Sequence, residues 1–370
     1  MSAERSEAMH EFLVRAGWGE ATRLPLPGDA STRRYVRLQD KGHTALLMDQ
    51  PQAAETPAAP ADATPNERRA LGYNAVARLA GADCGRFVAA ANFLRAKGLS
   101  APQIYADDTA QGFVLIEDLG DDLFADALTN GADDVQLYGA AAEVLARLHT
   151  HHAPDLLPPD KAFHAYDETA LLAEVDLLTE WFFPVALGRK AGEDEVEGHR
   201  EAWRKALAPF QNGQSVFVHR DYHAQNLIWL PQRSGVARVG LIDFQDAVAG
   251  AKAYDLISLV EDARRDVSPA LGEATTAHYL QAMREQATAV DTQLFAQEMA
   301  VFAAQRNAKI VGIFARLSRR DGKPRYLAYL PRVWSYLSRD LDHPALAALK
   351  SWYDRAIPQS ARGVPRSEGA

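Results

Sequence analysis

The chain has 370 residues, 47% apolar and 24% charged, a make-up that fits a soluble globular protein with room for two packed domains. Its formal charge of −9 argues against a nucleic-acid-binding role, which calls for a basic face, but leaves an anionic small substrate open because a pocket can oppose the global sign. The single cysteine, Cys84, excludes an internal disulfide and fits a reducing compartment. Glu4, Glu7 and Glu11 interrupt any signal-peptide pattern, and no apolar run approaches the roughly 20 residues that span a bilayer. The expected address is the cytoplasm, with neither nucleic acid nor membrane as partner.

Ser6 to Trp18 places Met9, Phe12, Leu13 and Ala16 on one face of a short helix. A punctuated stretch from Leu24 to Arg34 leads into Tyr35-Val-Arg-Leu38. Thr44-Ala-Leu-Leu-Met48 reads as the returning strand of a hairpin that turns near Asp40, Lys41 and Gly42. Residues 51–65 are rich in Ala and Pro, too poor in large apolar groups to order themselves strongly, and are expected to form an exposed insertion. Arg86 to Lys97 is a helix that Gly98 ends. Phe113 to Glu117 is a buried strand, closed by the polar break Asp118-Leu-Gly-Asp-Asp122, where a hinge is expected.

Beyond that break the pattern turns helical. Leu137, Ala141, Val144, Leu145 and Leu148 recur at helical spacing, and residues 169–183, 199–207 and 269–340 are mostly helical. Short strands are expected at Val216–Val218, Leu227–Trp229 and Val239–Ile242. These elements predict an α+β, protein-kinase-like two-lobed fold. A small β-rich N-terminal lobe, residues 1–118, would bind nucleotide; a larger, mainly helical C-terminal lobe, residues 119–370, would carry catalysis and substrate binding.

Chemistry concentrates in His219-Arg-Asp-Tyr-His-Ala-Gln-Asn226, followed by Leu241-Ile-Asp-Phe244. The spacing H-R-D-x-x-x-x-N, then an apolar strand ending in a second Asp, is that of phosphoryl transfer from a nucleotide to a hydroxyl. Asp221 is the expected catalytic residue, accepting the hydrogen bond of the incoming hydroxyl and aiming it at the γ-phosphorus of ATP. Asn226 and Asp243 offer hard oxygen donors suited to Mg²⁺. His219 reads as a structural support of this loop. Asp255, opening an apolar helix, is either an N-cap or a buried anchor of the loop.

On these residues the chain resembles the aminoglycoside phosphotransferase and choline-kinase-like branch of the kinase fold. Between Asp243 and Asp255 there is no room for the long activation segment of protein kinases, which points to a small-molecule acceptor. A narrower resemblance, to the anomeric sugar kinases of peptidoglycan recycling, is carried by Gly28-Asp-Ala-Ser-Thr-Arg-Arg-Tyr35, Leu47-Met-Asp49, Ile116-Glu-Asp-Leu-Gly120, Leu241-Ile-Asp-Phe-Gln-Asp246, Tyr254-Asp-Leu-Ile-Ser-Leu259 and Gly312-Ile-Phe-Ala-Arg-Leu317. That resemblance implies ATP- and Mg²⁺-dependent phosphorylation of the C1 hydroxyl of N-acetylmuramate and N-acetylglucosamine.

Two departures accompany it. The glycine-rich loop of protein kinases is replaced by Asp29-Ala-Ser-Thr-Arg-Arg34, where the backbone N–H groups of Ala30 and Ser31 and the guanidinium of Arg33 or Arg34 are expected to cradle phosphates. The strand lysine that grips the α- and β-phosphates is missing, with Met48 near its place. By analogy with kinase hinges, the backbone of Glu117 to Leu119 is expected to read adenine. Candidate sugar contacts are Glu174, Asp176, Gln245 and Asp246, with Arg264 or Arg306 for the lactyl carboxylate. The rival readings are another acceptor, such as an aminoglycoside, and a nucleotide-binding pseudokinase.

Overall fold

The computed structural model describes residues 2–27, 33–51, 58–211, 213 and 215–365. The chain gathers into two compact units: Met1–Val144 with Pro154–His164 and Ala224–Val248, and Leu145–Ala153 with Ala165–His223 and Ala249–Ala370.

The first unit is built on a five-stranded antiparallel sheet of β1 (Thr22–Pro25), β2 (Arg34–Asp40), β3 (His43–Asp49), β4 (Ile104–Asp108) and β5 (Phe113–Glu117), in the order β1-β2-β3-β5-β4. The expected hairpin is β2–β3. Asp40 pairs with His43 across Lys41 and Gly42, both left-handed (φ 49° and 83°), as a tight turn matching the strand twist demands. Alternation along β2 and β3 turns Leu38, Ala45 and Leu47 to one face, where Phe113 and Leu115 join them. Met9, Phe12 and Leu13 of helix Ala3–Arg15 cover that face, so the amphipathic stripe read from the sequence finds its partner.

Helix Cys84–Ala96 starts at the cap Asp83, which accepts the Gly85 N–H at 3.0 Å, two residues before the expected start. It ends at Gly98, whose φ of 78° suits a residue without Cβ. Of the insertion expected over 51–65, residues 52–57 lie outside the described residues. Its end is a helix start: Thr64 accepts the Glu67 N–H, and Glu67 accepts the Thr64 N–H in return, capping Pro65–Leu71. A separate antiparallel ladder joins Leu227–Trp229 to Val239–Leu241, with Leu119, Ile228 and Leu230 packed beside it.

The second unit is mostly helical, so the α+β expectation holds. Its axis is helix Thr292–Arg319, set against Glu168–Leu177, the π-turn Leu178–Phe182, Ala253–Val260 and Leu330–Asp340. Close approach depends on Gly312, where a Cβ would fall 2.6 Å from Leu177 Cβ and from the Leu178 nitrogen. Among the described residues no helix is long and apolar enough to cross a membrane.

Gly312→Ala should therefore lower stability by about 1–3 kcal/mol through overpacking against backbone that cannot yield. A thermal melt is the check; an unchanged midpoint would contradict the close approach.

Candidate active site

In the second unit, the buried strand Val216–Val218 delivers His219, Arg220 and Asp221. Two backbone N–H groups leave this strand end, and both go to one side chain: Asp255 accepts from His219 at 2.6 Å and from Arg220 at 2.9 Å. Asp255 lies in the first turn of helix Ala253–Val260, whose N-cap is Lys252, so it is the anchor of the loop and not a cap. Burial pushes its carboxyl up to about 7 against the pull of those two donors.

Arg220 is left-handed (φ 75°) and buried. Its guanidinium lies over the Tyr166 ring, 4.7 Å from the centroid, and donates to Glu174. Glu174 is 1% exposed. It also meets Lys309 Nζ at 2.9 Å, accepts from Gln305 Nε2 at 3.2 Å and from the Tyr166 hydroxyl. Lys309 donates to the Tyr254 hydroxyl at 3.3 Å. Burial opposes ionisation of Asp221, yet Lys309, His223, Arg220 and His219 hold its carboxyl down to about 2, so it is an anion throughout the neutral range.

His219 is buried, its ring edge-on to Tyr222 at 5.7 Å, in keeping with structural support. His223 Nε2 lies 3.2 Å from Arg264 Nη1. A guanidinium only donates, so Nε2 accepts and the ring proton sits on Nδ1. Burial, aided by Arg264, brings His223 down to about 4 and keeps it neutral.

In the first unit, the ladder that pairs Leu227 with Leu241 sets Asn226 and Asp243 at one end. The Ile242 N–H donates to the Asn226 carbonyl at 3.2 Å, and Asp243 follows with a left-handed backbone (φ 64°). Phe244 stacks on Phe87 at 4.9 Å, and Arg86 reaches the Ala247 carbonyl at 3.1 Å, so helix Cys84–Ala96 fixes the segment after Asp243. Asp243 meets Arg33 Nη2 at 3.3 Å and accepts from Gln245 Nε2 at 3.1 Å. One amide oxygen and one half-exposed carboxylate form a hard donor set. They suit a Mg²⁺ ion that completes its shell with water and phosphate oxygens.

Other expected positions fall variously. Ala30 and Ser31 lie outside the described residues. Arg34, the first residue of β2, is exposed, and Arg33 beside it is the one of the pair that reaches Asp243. The Glu117 N–H donates to the Gln103 carbonyl at 2.8 Å, and its carboxylate takes Arg233 at 2.6 Å and Arg95 at 3.4 Å. Leu119 packs on Ile228 and Leu230. Asp246 accepts the Ala80 N–H at 2.6 Å. Asp176 is gripped by Arg200 at 2.9 and 3.0 Å, and Arg306 is buried with Nη1 on the Glu261 carbonyl at 3.2 Å.

Glu174, expected among the sugar contacts, is enclosed, and its oxygens already serve Arg220, Lys309, Gln305 and Tyr166. Lys309, Gln305, Tyr166 and His223 were not anticipated. For Lys309 and Gln305 the available signal was their spacing, four apart on one helix, which the neighbouring polar residues Arg306 and Asn307 obscure.

Residues 22–290 match the phosphotransferase enzyme family (APH). The chain is 44% identical over 368 residues to the N-acetylmuramate/N-acetylglucosamine kinase of Caulobacter vibrioides (strain ATCC 19089 / CIP 103742 / CB 15), covering 98% of this chain and 99% of that one. Among solved structures it is similar to a microcompartment-associated aminopropanol kinase (TM-score 0.57, 16% identity, 90% of this chain and 98% of that one). It is also similar to the ADP-bound aminoglycoside phosphotransferase APH(2'')-Ib (TM-score 0.53, 12% identity, 91% and 97%). At such identities these structures speak for fold alone, and the fold is the protein-kinase-like one expected from the sequence.

Asp255→Asn keeps the volume of the anchor but leaves one acceptor oxygen for two N–H groups. We expect the His219 and Arg220 amides to exchange hydrogen faster and stability to fall by about 1–3 kcal/mol, the cost of an unsatisfied buried donor. Exchange at the wild-type rate would remove Asp255 from its anchoring role.

Proposed function

The chain belongs to the phosphotransferase enzyme family, and from that premise we propose that it transfers the γ-phosphoryl group of ATP to the anomeric C1 hydroxyl of N-acetylmuramate and N-acetylglucosamine. The products would be sugar 1-phosphates for cell-wall recycling, made in the cytoplasm. The observation that carries this is the 44% identity, over nearly the whole of both chains, to a kinase named for those two sugars. The C1 position comes from the motif resemblance.

In this reading Asp221 accepts the hydrogen bond of the sugar hydroxyl and orients it, a role that an anion beside the Lys309 and Arg220 cations can keep at neutral pH. Asn226 and Asp243 would hold Mg²⁺, which supplies neutralisation of phosphate charge when bound. Arg33, with Arg34 and the backbone of Ala30 and Ser31, would meet the phosphates; the Arg33–Asp243 ion pair supports Arg33 as the leading cation. With the Glu117 N–H already used, adenine would be read by the Glu117 carbonyl and the Leu119 backbone. Gln245, Asp246 and Asp176 remain candidates for sugar hydroxyls, and Arg264 and Arg306 for the lactyl carboxylate. Arg264, half-exposed beside His223, is the stronger of the two.

Free N-acetylmuramate and N-acetylglucosamine incubated with Mg²⁺ and ATP should each give an anomeric phosphate by phosphorus NMR. Phosphate on a ring or primary hydroxyl, or no sugar product, would overturn the assignment. Asp221→Ala should cut turnover by about 10²–10⁴-fold, the usual share of a general base, while ATP affinity stays within a few fold.

A further inference from the structure

A carboxylate enclosed by two cations beneath a catalytic loop needs a reason, because desolvating three charges is costly and such triads are often replaceable by apolar side chains at no loss of stability. Glu174 is that carboxylate. It lies on helix Glu168–Leu177, meets Lys309 at 2.9 Å, accepts from Gln305 at 3.2 Å, and takes the Arg220 guanidinium. Arg220 in turn is the residue immediately before Asp221, and its left-handed backbone is a conformation that a long side chain adopts only when its surroundings impose it. Two restraints impose it: Asp255 on its backbone N–H at 2.9 Å, and Glu174 on its side chain.

We propose that Glu174 is a positioning residue for phosphoryl transfer, which with Lys309 clamps Arg220 and so fixes the backbone that aims Asp221. In switchable kinases an added phosphate on a separate segment engages an arginine to order the active site. Here the sequence has no such segment between Asp243 and Asp255. A resident carboxylate does the same work, so the loop is set without any covalent switch. Lys309 serves twice: it neutralises Glu174, and its field is the leading influence that keeps Asp221 ionised.

This inference rests on Asp221 acting as proposed above, and the test separates the two. Four variants of the full chain are compared with wild type: Asp221→Asn, Glu174→Gln, Lys309→Met, and the triple exchange Glu174→Leu, Arg220→Met, Lys309→Met. Steady-state turnover, KM for ATP and sugar, ADP affinity by calorimetry, and the melting temperature are measured for each. We expect Glu174→Gln to lose at least tenfold in kcat with ADP affinity and both KM values within threefold. The triple variant should melt near or above wild type yet turn over at least 100-fold more slowly.

The pH profiles should also tell the two variants apart. Losing the Lys309 cation lets the Asp221 carboxyl rise, so the acid limb of kcat moves to higher pH in Lys309→Met. Losing the Glu174 anion leaves the cations in place, so the acid limb stays put in Glu174→Gln. A folded Glu174→Gln or triple variant with kcat within twofold of wild type would overturn the proposal, as would a kcat loss that merely tracks the unfolded fraction. Should Asp221→Asn turn over like wild type, the catalytic reading itself falls and takes the clamp with it.

Discussion

Holding Arg220 in a left-handed conformation is the constraint on which the second unit's chemistry depends. A non-glycine residue there costs about 1–3 kcal/mol and persists only where neighbours over-determine it. Three neighbours do so: Asp255 fixes the backbone, Glu174 the guanidinium, and Tyr166 lies under the guanidinium plane. The turn so imposed sets Asp221 among Lys309, His223, Arg220 and His219, where its carboxylate outlasts the penalty of burial. Rigidity and ionisation are thus linked, since Arg220, which the two carboxyl groups hold, is also one of the cations that keep Asp221 charged.

A second left-handed residue does comparable work in the first unit. Asp243 (φ 64°) leaves the end of the two-stranded ladder at a turn, and the residue after it is pinned by the stack of Phe244 on Phe87. Gly240 lets the ladder sit close to Leu119: a Cβ there would meet Leu119 Cδ1 at 3.2 Å and Ile228 Cβ at 3.1 Å. The leucine that follows β5 is thereby packed on the strand pair that carries both proposed metal ligands.

The sequence made the oxygen-bearing residues legible because their chemistry requires short, fixed spacing along one stretch of chain. It did not reveal the clamp, whose partners lie far apart: Glu174 is 46 residues from Arg220 and 131 from Gln305. Read alone, Glu174 is a polar residue on a helix, and a helical pattern cannot say that this face is sealed by Thr292–Arg319. The same helix hid Lys309, its one lysine and one of nine in the chain, and its close seat depends on Gly312, which the motif contained without its reason. Asp255 stood open between two roles until its carboxylate was seen accepting from the loop and not from its own helix. The β2–β3 hairpin, strand β5 and Gly98 as a stop were legible since each follows from local periodicity or a local φ requirement, whereas the edge strands β1 and β4 were not.

The missing strand lysine also acquires a physical account. In protein kinases that lysine is one half of an ion pair, the other being a glutamate on the helix packed behind the sheet. Here β3 carries no lysine, and helix Cys84–Ala96 carries no acidic residue at all. Both halves are therefore missing from these two elements. Met48 fills the space as a buried apolar residue under the Tyr35 hydroxyl, at 3.5 Å from its sulfur, and Arg5 closes the strand end on Asp49. In the proposed reading the positive charge comes instead from the segment just before β2, where Arg33 reaches Asp243. A guanidinium offers five donors where an ammonium offers three, and its fork suits phosphate oxygens. If Arg33 meets the phosphates as proposed, loss of the lysine is not by itself a mark of a dead kinase, because the charge enters the first unit from another direction.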